Sequence, residues 1–190
     1  MTLWEVITSA REGYVGAFRR AIREQQGKLR DLSTEVWVTP QGAEHVPAAY
    51  RSFRADLLWQ REEDGAPMVG AFDAGAAGVG EMCATTYPEG QELSVLFLRW
   101  DHCEFQCTPA VEVGDALATW LSEWGDRADG HGTDTDGLRS AVHSVTPPER
   151  SPDGSAVGFA VDFGSAPREA FTALIATLLA CGVTRIQVGA

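Results

Sequence analysis

Cysteine is scarce. The four thiols (Cys83, Cys103, Cys107 and Cys181) in 190 residues are too few for a disulfide framework. Each falls in an apolar stretch, where a reduced, buried cysteine belongs. Long apolar runs are missing as well: nothing approaches the roughly 20 consecutive apolar residues of a membrane-crossing helix. Glu5, Arg11 and Glu12 interrupt the first apolar pattern, so no secretory signal is expected there. Together these absences lead to the expectation of a cytoplasmic protein that does not engage membranes. Positive charge is also short, with 15 Lys and Arg against 27 Asp and Glu and a net charge of -12. Phosphate contacts require a basic surface, so nucleic acid is not an expected partner. The acid is unevenly spread. Residues 1–61 carry nine basic against seven acidic residues, whereas residues 62–190 carry six against twenty.

Recognisable catalytic and ligand motifs are lacking too. Gly75-Ala-Ala-Gly78-Val-Gly80 has the wrong glycine order for a dinucleotide fingerprint, and no Lys-Ser/Thr follows as a phosphate loop needs. Asp162-Phe163-Gly164 spells the magnesium tripeptide of protein kinases, but no His-Arg-Asp catalytic loop accompanies it. There is no Gly-x-Ser-x-Gly nucleophile elbow. In the loop Asp129–Gly137, placing Gly137 at the turn position of a calcium loop puts Gly132 and His143 where two essential carboxylate ligands belong. Asp101-His102-Cys103-Glu104 with Cys107 is the densest run of metal-ligand types. On a strand, however, Cys103 and Cys107 stand about 13 Å apart, too far for one zinc. The expectation is therefore no metal and no cofactor.

What is present is a strong pattern of elements. Thr2 and Glu5 have capping-box spacing, and Leu3, Ile7, Ala10, Tyr14, Phe18 and Ile22 recur at helical intervals. Phe53, Ala55, Leu57 and Trp59 alternate with Arg54, Asp56 and Leu58. This predicts a half-buried strand that pairs, through the turn Glu62–Gly65, with Met68–Phe72. Strands around 81–87, 92–100 and 103–107, separated by turn residues, predict an antiparallel meander. Leu117, Trp120, Leu121 and Trp124 make a second helical stripe. Leu138–Val145 reads as a strand and Pro147–Gly154 as a polar turn. Residues 156–190 then read strand, helix, strand, with Ser165 as a helix cap and Gly182 as its terminator.

The expected fold is α+β: a largely antiparallel sheet flanked by helices at 2–26, 115–124 and 167–181, ending in a C-terminal β-α-β unit. We expect one domain over 1–190, with a possible seam at the 125–137 loop. Two function classes remain. The first is a non-catalytic protein that binds a basic protein partner, with Glu123, Trp124, Asp126, Asp129, Asp134 and Asp136 as the candidate surface. There a tryptophan would anchor the interface and carboxylates would steer the partner. This profile is similar in general character to that of bacterial toxin-neutralising immunity proteins, which implies an acidic inhibitor. The second class is a small enzyme or small-molecule-binding domain, with Asp101, His102, His143 and Asp162 as its polar groups. Asp162 lies where a strand meets a helix, a common ligand position in α/β sheets. It is equally placed to accept backbone N–H groups of that turn.

Overall fold

Among the described residues seven strands form the larger of two sheets, and the last of them lies between two strands that are consecutive in sequence. The structure is a computed structural model that describes residues 1–72, 78–80, 83–126 and 137–189. Its strands are β1 (Arg30–Val38), β2 (Phe53–Gln60), β3 (Pro67–Gly70), β4 (Cys83–Thr86), β5 (Glu92–Val95), β6 (Cys103–Thr108), β7 (Ser144–Val145), β8 (Glu149–Arg150), β9 (Val157–Asp162) and β10 (Arg185–Val188). The helices are α1 (Leu3–Gln25), α2 (Gly114–Asp126) and α3 (Arg168–Ala180), with single 3-10 turns at Ala43–His45 and Ala48–Tyr50. The small sheet runs β1-β2-β3. The large one runs β4-β5-β10-β6-β9-β7, with β8 also paired to β9. The fold is α+β with mostly antiparallel pairing, and β9-α3-β10 is the C-terminal β-α-β unit.

Local chemistry explains the helices. Thr2 Oγ1 accepts the Glu5 N–H at 3.2 Å while Glu5 Oε2 accepts the Thr2 N–H at 2.7 Å, closing the capping box of α1. Val6, Ile7, Ala10, Tyr14, Val15, Phe18 and Ile22 form its buried stripe. At the end of α3, Gly182 takes φ +91° and the Val183 N–H reaches back to the Leu178 carbonyl, a glycine stop. The start of α3 differs from expectation. Pro167 is the N-cap and no side chain caps the helix. Ser165 Oγ is instead occupied by the Ala141 N–H at 3.3 Å.

The helices cover one face of the large sheet, where Leu93, Val95, Phe105, Val157, Phe159, Val161, Ile186 and Val188 join α1, α2 and α3 in one apolar core. Trp120 and Trp124 belong to that core. The opposite face carries Glu104 and Gln106 from β6, which alternate with buried Cys103, Phe105 and Cys107.

Pairing departs from the expected meander. β5 and β6, neighbours in sequence, are held apart by β10, which is parallel to β5 and antiparallel to β6. A ladder between distant segments outcompetes the local hairpin because β10 brings Ile186 and Val188 to the buried face. Between 138 and 145 only Ser144–Val145 is strand, and the expected turn 147–154 contains β8. β2 also turns its polar side inward: Arg54 is 3% exposed and Asp56 7%. Most of the 74–80 connector and of the 125–137 loop lies outside the described residues.

Candidate functional site

Six segments meet at a buried histidine. His143 stands just before β7 and is 1% exposed. Its own backbone ties the two sheets together, since its N–H donates to the Asp162 carbonyl and its carbonyl accepts the Arg54 N–H. Around the ring stand Glu35 from β1, Asp56 from β2, Asp162 from the end of β9 and Gly164 from the turn before α3, with Tyr14 of α1 bonded to Asp56.

Glu35 reaches the ring through an unusual backbone. Thr34 pairs with Leu57 and Val36 with Ala55, which sets Glu35 opposite Asp56 on the neighbouring strand. Two carboxylates facing each other across a ladder repel. Glu35 has φ +52°, a conformation that costs a side-chain-bearing residue about 1–3 kcal/mol. It breaks the strand's alternation, so that Thr34 and Glu35 are both buried. Gly164, at φ +51°, lies so close that a Cβ there would overlap the His143 ring.

Each carboxylate has one oxygen fixed by a backbone amide and another turned to the imidazole. Glu35 Oε2 accepts the Arg139 N–H, and its Oε1 accepts the Ser165 N–H at 3.2 Å and His143 Nε2 at 2.7 Å. Asp56 Oδ2 accepts the Phe72 N–H at 2.7 Å. Its Oδ1 accepts the Tyr14 hydroxyl at 3.3 Å and faces His143 Nδ1 at 3.0 Å. Asp162 Oδ1 accepts the Gly164 N–H at 2.9 Å, and Oδ2 faces the same Nδ1 at 3.6 Å. Nδ1 makes no in-line hydrogen bond to either.

The electrostatics follow from this arrangement. Burial pulls the His143 pKa down, but the facing carboxylates, Asp162 foremost, hold it well above the ordinary imidazole range. Burial pushes Glu35 up, yet its hydrogen bond to His143 and the imidazole charge leave it below the usual carboxylate range. Burial raises Asp162 against the attraction of His143. Tyr14 sits well above the usual phenol value because of burial and then of Asp162, Asp56, Glu35 and Asp101. Nearby, the buried Arg54 guanidinium donates to the Glu35 and Gly125 carbonyls.

Of the expected polar group, the fold brings His143 and Asp162 together. Asp101 is paired with Arg99 at 2.9 Å, and exposed His102 with Glu104 at 3.2 Å on the open face of the large sheet. Asp162 does hold a backbone N–H of the helix turn. Cys103 and Cys107 face the core, away from exposed Glu104, and do not gather as ligands. Of the acidic surface, Glu123 is exposed on α2 and Trp124 is buried at 5% exposure. Asp126 ends α2, while Asp129, Asp134 and Asp136 lie outside the described residues. An open groove of about 590 Å³ lies elsewhere, on the sheet face of His102, Glu104 and Gln106, bordered by Arg150. Sequence reading missed Glu35 and Asp56. The available signal was a pair of charged residues, Arg54 and Asp56, on one side of an otherwise apolar strand. Compared with protein-family models, curated proteins and solved structures, the chain matches none.

Proposed function

We propose that the chain is a non-catalytic binding protein whose acidic surface engages a basic protein partner, in the manner of an inhibitor. One observation carries this reading. The described histidine–carboxylate constellation is largely buried, with His143 at 1% exposure, its carboxylates tied to backbone amides and Asp162 partly reaching solvent. Carboxylate excess at the surface, from a net charge of -12, is then the chain's most distinctive accessible chemistry. Such a surface raises the association rate of a basic partner and makes it fall with ionic strength. With Trp124 in the core, Glu123 is the described side chain of the candidate patch that meets solvent.

Affinity capture from the native host at low and high salt tests this, with bound proteins identified by mass spectrometry. The expected result is one stoichiometric basic protein released at high salt. Reversing Glu123, Asp134 and Asp136 to lysine should slow its association about tenfold and flatten the salt dependence. Unchanged association would move the interface elsewhere, and an empty capture from expressing cells would favour the second reading. That reading is a small enzyme or small-molecule site using Asp101, His102, His143 and Asp162. It draws on the 26% exposure of the Asp162 side chain beside the imidazole. Under it, His143→Ala abolishes turnover or ligand binding; an active variant would remove His143 from the site.

A further inference from the structure

The buried imidazole poses a question of charge that the surface reading leaves untouched. An ionised carboxylate only accepts hydrogen bonds, and Glu35 already accepts two backbone N–H groups, so Nε2 of His143 is the donor toward Oε1. That fixes the other nitrogen as the one aimed at Asp56 Oδ1 and Asp162 Oδ2. A bare lone pair facing two carboxylate oxygens would be repelled, so a positive charge has to sit between them.

We infer that Asp56, His143 and Asp162 form a binding site for a divalent transition-metal ion of the zinc class, with Nδ1, Oδ1 and Oδ2 as ligands and Glu35 orienting the imidazole. Four observations support a metal over a proton. First, Nδ1 is buried and makes no in-line hydrogen bond, although Asp56 Oδ1 is only 3.0 Å and Asp162 Oδ2 3.6 Å away. Second, the three ligand atoms lie within 4.8 Å of one another, and the two separations from Nδ1, 3.0 and 3.6 Å, bracket the roughly 3.3 Å edge of a tetrahedron with zinc–ligand bonds near 2.0 Å. Third, the oxygens not offered as ligands are held by the Phe72 and Gly164 amides, and Nε2 by Glu35. This is the outer support that fixes ligand orientation in carboxylate–histidine–metal sites. Fourth, three carboxylates surround one imidazole with the Arg54 guanidinium nearby. A doubly protonated ring leaves one negative charge over, whereas a divalent cation with a neutral ring balances the group.

One imidazole and two carboxylates suit zinc, manganese or iron better than a soft-metal site. The partly exposed edge of Asp162 gives the ion a route in and room for a water as a further ligand. Binding displaces the Nδ1 proton to solvent and forms the Nδ1–metal bond, so one proton is released per ion.

The test uses the full chain, stripped with chelator, dialysed and titrated with Zn²⁺ alone. Expected are one equivalent bound, a higher Tm, and a His143 ring 15N spectrum that changes to a metal-bound Nδ1 with Nε2–H retained. Asp162→Asn keeps an oxygen for the Gly164 N–H and should lose that one-equivalent binding, while Glu35→Gln should weaken it about 10–100-fold. A ring that stays doubly protonated in excess Zn²⁺ overturns the site, as does equal binding by folded Asp162→Asn. If the variant fails to fold, the wild-type ring spectrum alone decides.

Discussion

A single missing methyl group sets the geometry of the buried cluster. Gly164 has no Cβ, and adding one would drive it into the His143 ring, itself clamped by Glu35. Gly164→Ala should therefore cost about 2–4 kcal/mol, from overpacking plus left-handed backbone strain. Gly182 is the control: its φ is +91° but a Cβ there meets nothing. Gly182→Ala should cost only about 1 kcal/mol, the strain alone. Paired denaturant titrations measure both; equal losses would mean the ring yields. Glu35→Ala leaves the imidazole and two backbone amides without their acceptor, so it should cost about 3–5 kcal/mol in the same assay. At this scale the sequence was only partly legible. Asp162 sat at a recognisable strand end, and His143 stood among the candidate polar groups. Asp56 left only the weak signal of a charged pair with Arg54 on one side of an apolar strand, and Glu35 left none, because the two face each other through a ladder and a left-handed backbone that no spacing rule announces.

Elements formed by local rules were readable, and those formed by distant pairing were not. The capping box of α1 and the glycine stop of α3 are complete within a few residues, and both occur where the residues indicate. Thr2→Ala should lower stability by about 1 kcal/mol, readable as a fall in Tm, because it frees the Glu5 amide. By contrast, nothing within 92–108 announces that β5 and β6 will be separated by a strand some eighty residues later. β6 did show its orientation: alternating Cys103, Phe105 and Cys107 face the core. Burial raises the Cys107 thiol to about 12 and pushes Cys103 up as well. At pH 8 about one Cys107 in ten thousand is thiolate, even before access is considered. Native-state alkylation read by mass spectrometry should thus mark half-buried Cys83 and Cys181, and reach Cys103 and Cys107 only after unfolding. Labelling of Cys107 in the folded protein would mean that β6 opens readily.

At the scale of the whole molecule, the two sheets and three helices of the described residues are fastened at a place that is polar and charged. The small sheet meets the large one through Arg54, His143 and Asp162, and the carboxylates of both converge on one ring. His143→Leu removes the imidazole that three largely buried carboxylates share and should destabilise the junction by more than about 3 kcal/mol, because it leaves those carboxylates facing each other. Loss of β1–β2 amide protection ahead of the large sheet, in hydrogen exchange, would locate the damage. Residue patterning gave the α+β class, and among the described residues no helix is long and apolar enough to cross a membrane. The joint between sheets depends on three-dimensional proximity and had no such trace. The position of β10 also has a consequence for synthesis. As the chain leaves the ribosome, β4–β5 and β6–β9 can assemble as separate ribbons, each with a raw hydrogen-bonding edge that waits for the same late strand. During that interval the two edges are open to the wrong partner, including another nascent copy.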